Sequence, residues 1–242
     1  MTPPILIAGF HRSGTSAVAR GLHSVGVQLG DRLLGAEPAN PWGHFEDEDV
    51  VALHDDLLAH EDLTWKSLDR VEDRSIAHQT IGAYAKRRSE NAEGSPWGLK
   101  DPRILLFLDE WVDVVDDAVI VFVLRPPGPT IASLHRRHIR RHVDSARIDP
   151  SDLDFWREPD LGLRLWLHYH REALPVLRQG THRLVSYGDD DQLRNMVSGL
   201  GLRGAPEPFD TSLGKHEQTW VIDAELIEEA RELYAELASL HA

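Results

Sequence analysis

Residues 5–16 read ILIAGFHRSGTS, and the order of residue types in this stretch decides the fold. The apolar run 5–8 suits a buried parallel strand and ends at a glycine. Gly9 and Gly14, with four residues between them, give the spacing of a phosphate-binding loop. Beyond them, Val18, Leu22 and Val25 recur at helical spacing over 16–26, and Gly26 is a stop signal. Strand, glycine loop and helix thus follow one another as a phosphate cradle requires. Backbone N–H groups around Ser13 to Ser16 would face an anion at the helix N-terminus, with hydroxyls from Thr15 and Ser16. In nucleotide-hydrolysing loops a lysine follows the second glycine. Here Thr15 takes that place, and the nearest cation is Arg12, inside the loop.

Working outward, apolar runs alternate with amphipathic stretches. Residues 119–124 (VIVFVL) are the strongest strand signal, 182–187 (HRLVSY) another, and 98–103 (GLKDPR) a short strand or loop. Helical patterns fall at 48–60, 71–91, 160–178, 190–200 and from 223. The alternation predicts an α/β domain over 1–242, three-layered and P-loop-like, with a central parallel sheet flanked by helices. The 242 residues carry a formal charge of −14 and no cysteine. That balance argues against nucleic-acid or acidic-membrane partners, so an anion must be held by a local cluster of cations and amides. The N-terminal stretch lacks a basic leader and is too short for a membrane span, which suits a cytoplasmic chain.

A second constellation lies in RPPGPTIAS, 125–133. Arg125 closes the strongest strand, and Ser133 follows eight residues later in the next helix. Both open on the carboxyl edge of the sheet, where ligands of parallel α/β folds bind, so they can converge on a second anion. A triphosphate site would instead want a strand-end acid for Mg²⁺. The strand ends in arginine, and Asp101 is the remaining candidate for that acid.

These elements resemble the sulfotransferases that use 3′-phosphoadenylyl sulfate. GFHRSGTS matches their lysine-free phosphate loop, and Arg125 with Ser133 their second motif. GLKDPR (98–103) is similar to the K-[DT]-P element of bacterial and tyrosylprotein members. NPWGHFED (40–47) is similar to an NPxGxxE stretch of bacterial carbohydrate and small-molecule members, and LVSYGD (184–189) to a strand end near the adenine. The resemblance implies a donor with two anionic ends and no metal. His11, Arg12, Ser13, Gly14, Thr15 and Ser16 would hold its 5′ group, Arg125 and Ser133 its 3′-phosphate, and Tyr187 would lie near the base. Sulfuryl would pass in line to a hydroxyl or amine of a small molecule or carbohydrate.

Such a transfer needs a cation beside the departing oxygen and a base for the acceptor's proton. Arg12 and Lys100 are the candidates for the first role. Glu46 is the candidate for the second, with His44 and Asp47 behind it. The acidic run 46–49 equally suits a helix start. Lys215 stands in a late loop that could close over the donor. Five arginines in 133–147 read mostly as a solvated helix face, and His135, His138 and His142 among them do not suggest a metal. Two rival readings remain at this point: a Mg²⁺-dependent kinase with a degenerate loop, and a non-catalytic protein that binds 3′,5′-adenosine bisphosphate. A homo-oligomer is left open.

Overall fold

The computed structural model describes residues 2–36, 42–144, 153–180, 182–210 and 223–240, with the side chains of 141–144 outside that description. Among the described residues four parallel strands form one sheet, in the order β2-β1-β3-β4. They are β1 (Ile5–Ala8), β2 (Gly98–Lys100), β3 (Val119–Leu124) and β4 (His182–Ser186). The side chains of the two central strands alternate between two apolar cores, as the period of two demands. Leu6, Ala8, Ile120, Phe122 and Leu124 enter one core. Ile5, Ile7, Val121 and Val123 enter the other.

The smaller core is covered by α1 (Thr15–Ser24) through Val18, Ala19 and Leu22, and by α8 (Asp190–Gly199) through Leu193, Met196 and Val197. The larger core takes α2 (Glu48–Ala59), α3 (Arg74–Asn91), α4 (Leu108–Val114), α5 (Pro127–Asp144), α6 (Asp154–Arg157), α7 (Leu161–Leu177) and α9 (Ala224–Ser239). This is the three-layer α/β arrangement expected from the alternation. The helix predicted over 71–91 begins at Arg74, because the Asp73 carboxylate accepts from the N–H groups of Ser75 and Ile76 and caps it there. The uncertain stretch 98–103 resolves into both forms, β2 and then a 3₁₀ turn over Pro102–Leu106. No helix of the described residues is long and apolar enough to cross a membrane.

The larger core also buries imidazoles. His135 of α5 and His170 of α7 are each held neutral by burial, which pushes their pKa values down to about 4. The folded values lie below the ordinary 6.5, so between pH 6.5 and 4 the unfolded chain binds more protons. Stability therefore falls as the pH falls through that window. Each imidazole contributes up to about 3 kcal/mol to that loss by pH 4. Urea titrations at pH 7 and pH 5 check this. The midpoint is expected to be clearly lower at pH 5, and equal midpoints would contradict it.

Candidate active site

The cradle forms where β1 ends. Gly9 leaves the strand against its neighbour so closely that a Cβ there would sit 2.7 Å from the Val123 carbonyl oxygen. Gly14 has φ of 103°, in the left-handed region that disfavours side chains, and a Cβ would lie 2.3 Å from the Tyr187 ring. Arg12 also takes a positive φ, 67°. The turn delivers the chain into α1, which no side chain caps. Its first-turn amides can therefore face a ligand, and the Ser13 Oγ beside them is buried without a protein partner. The cradle opens into a cleft of about 800 Å³, which Thr15 and Ser16 line together with residues from every strand of the sheet or the segments just beyond.

The second constellation meets the first directly. Arg12 Nε donates to Ser133 Oγ at 3.1 Å, and Arg125 Nη1 donates to the Arg12 backbone carbonyl at 3.1 Å. Arg125 also lies over the Tyr187 ring, 4.3 Å from its centroid. Of the two candidates for the cation, Arg12 thus reaches Ser133 of α5, while Lys100 lies against Ser16 and Glu46. Burial first, then the charges of Arg137 and Arg125, lower the Arg12 pKa to about 10. Burial likewise lowers Arg125, with Arg136 adding to it. Cations set this close together repel one another and favour a bound anion.

Lys100 and Glu46 form a buried ion pair, Nζ donating to Oε1, with 2% and 9% of the two residues exposed. The same ammonium donates to Ser16 Oγ at 3.3 Å. The two groups chosen from sequence for opposite roles are thus in contact at one edge of the cradle. His44 lines the cleft next to them. Asp47 does not line it: buried, it caps α2 through the Asp49 N–H and accepts from the Tyr84 hydroxyl at 3.0 Å. Those bonds hold its carboxylate away from the cleft. His11 packs against Trp65, with ring centroids 4.6 Å apart. Burial, followed by Arg103, lowers its pKa well below the ordinary value, so it stands neutral.

Asp101 is fully buried and turned from the cradle. It caps the 3₁₀ turn, accepts from Arg103 and lies 3.3 Å from His54 Nδ1. Burial alone would raise its pKa, but Arg103 and His54 overcome that and hold it below the carboxylate range. The acid that a Mg²⁺ site would need is therefore committed to the core.

Two further arginines line the cleft, Arg137 from the run read mostly as a solvated helix face and Arg20, which no motif singled out. Arg137 lies one helical turn beyond Ser133, and Arg20 one turn beyond Ser16, so i,i+4 spacing was the signal available. Arg20 stacks on Trp42 at 4.8 Å, and Trp42 Nε1 donates to Asp210 at 3.4 Å. Only the tertiary fold joins those three. Lys215 lies outside the described residues.

No family model matches the sequence, and no curated protein does. Solved structures do. A sulfotransferase from Mycobacterium tuberculosis aligns with 98% of this chain and 77% of its own, at 14% identity and a TM-score of 0.54. The sulfotransferase domain from the curacin biosynthetic pathway aligns over 98% of both chains, at 14% identity and a TM-score of 0.53. That from the Synechococcus PCC 7002 olefin synthase covers 98% of this chain and 93% of its own, at 17% identity and 0.51. Likeness at such identities speaks to architecture, and the architecture of this chain is similar to that of these three sulfotransferases.

Proposed function

We propose that this chain moves a sulfuryl group from 3′-phosphoadenylyl sulfate to a hydroxyl or amine of a small molecule or carbohydrate. The observation that carries the reading is the Arg12–Ser133 bond, which makes two anion-binding features into one continuous cleft. The donor's two anionic ends suit that cleft. The buried, unpartnered Ser13 Oγ and the uncapped α1 fit its 5′ end, and the depressed arginines fit its 3′-phosphate.

When bound, the donor supplies the sulfuryl group and a phosphate that leaves. An S–O bond to an acceptor hydroxyl, or an S–N bond to an amine, forms as the S–O bond to the 5′-phosphate breaks, and the acceptor proton must go to the protein. Glu46 takes that proton. A neutral Glu46 holds the Lys100 ammonium less tightly, and Lys100, already bonded to Ser16 at the cradle, turns to the oxygen where negative charge collects. Arg12 acts at the 3′ side, with Ser133 and Arg125.

Thermal shift tests the reading. Stabilisation by 3′,5′-adenosine bisphosphate without Mg²⁺, well above that by ATP with Mg²⁺, is the expected result. The reverse order would remove it in favour of a kinase. Transfer from labelled donor then separates an enzyme from a protein that only binds the bisphosphate.

A further inference from the structure

A second cleft, about 980 Å³, adjoins the first across a wall made by His11, His44, Glu46 and Arg137. A group placed at that wall can be approached from both sides. The two clefts differ in charge. The first is lined by Arg12, Arg20, Lys100, Arg125 and Arg137 against Glu46 and Asp210. In the second, Arg103 and Arg137 meet Glu46 and Asp55. Arg103 is moreover engaged on both sides, by Asp101 at 3.2 Å and by Asp55 at 3.1 Å. Glu46 is held by Lys100, and His11 is neutral. This cleft therefore offers a charged ligand little net attraction.

The rest of its lining sets the imidazoles of His44 and His138 beside an apolar and aromatic part. Leu34, Val51 and Leu134 line it together with Trp65. Trp65 is held firmly: its carbonyl accepts from the Tyr169 hydroxyl at 2.7 Å, and its ring lies nearly parallel to His138, with centroids 5.9 Å apart at 23°. Flat rings gain most from such walls. A sugar hydroxyl turned to Leu34, Val51 or Leu134 would lose water without gaining a partner, whereas an apolar ring there would not.

We propose that this second cleft holds the acceptor and selects an uncharged alcohol whose body is an apolar ring. The proposal rests on the sulfuryl-transfer reading. The acceptor hydroxyl meets Glu46 at the shared wall, and the ring lies along Trp65 and Leu134.

Calorimetric titration of the protein saturated with 3′,5′-adenosine bisphosphate tests this without requiring turnover. The probes are 2-naphthol, cyclohexanol, glucose and glucuronate. Both ring alcohols are expected to bind at least about tenfold more tightly than glucose, with glucuronate weakest. Either order between the two supports the proposal and tells an aromatic acceptor from an alicyclic one. Trp65→Ala should weaken the better ring alcohol by about tenfold and leave bisphosphate affinity unchanged. Val51→Arg, at a half-exposed position of α2, should raise glucuronate above glucose. Glucose or glucuronate binding the wild type as tightly as the ring alcohols would overturn the proposal, as would ring-alcohol binding that survives both substitutions. Failure of the bisphosphate itself to bind would instead sink the sulfuryl-transfer reading beneath it.

Discussion

On the proposed reading, Lys100→Met should lower turnover by about 10²–10³-fold while bisphosphate affinity changes little, because the lost ammonium would act where charge develops in the transition state. The same substitution leaves the Glu46 carboxylate buried with no counter-charge, at a cost on the order of 3–5 kcal/mol in stability. Those two effects must be separated. Adding Glu46→Gln to Lys100→Met removes the stranded charge, so much of the stability returns, as chemical denaturation will read. Turnover from labelled donor does not return. If the double variant regains both, Lys100 and Glu46 are structural partners only, and neither takes part in the chemistry.

The second large effect concerns the far end of the cleft. Arg125→Ala should weaken 3′,5′-adenosine bisphosphate by about ten- to a hundredfold, the loss expected for a charge-assisted phosphate contact. Adenosine 5′-phosphate, which lacks the 3′ group, should lose only a few-fold by the same reasoning. Ser133→Ala should follow the same pattern with smaller losses. Calorimetry on the two ligands checks both variants, and equal losses for the two ligands would refute the placement of the 3′-phosphate. Arg12 and Ser133 are in direct contact, so their substitutions should couple rather than add.

The parts of the molecule that could be read from sequence are those whose chemistry is covalently local. Ile5 to Ser16 places strand, turn and helix in one continuous run. The alternation of Ile5, Leu6, Ile7 and Ala8 between two cores was implicit in an apolar strand flanked by helices. Arg125 and Ser133 were legible because eight residues span one strand end and the turns that follow. Lys100 and Glu46 were each visible as candidates, but their pairing joins positions 54 residues apart and depends on β2 lying beside β1. The bond from Arg12 to Ser133 joins positions 121 residues apart, and no local pattern announces it. Asp101 looked like a strand-end acid, and only packing against His54 shows it to be part of the core. The link from Trp42 to Arg20 and Asp210 spans most of the chain and left no local trace.

The position of Arg12 has a consequence for discrimination. Its carbonyl holds Arg125 and its side chain holds Ser133, while the next residues form the cradle. The two ends of the cleft are therefore joined through a single residue of the backbone and cannot drift apart independently. On the proposed reading the loop acts as a calliper, set to one separation between two charges. A bisphosphate carrying its second group at the 2′ rather than the 3′ position would have the same charge and the wrong span. It would be refused by length alone.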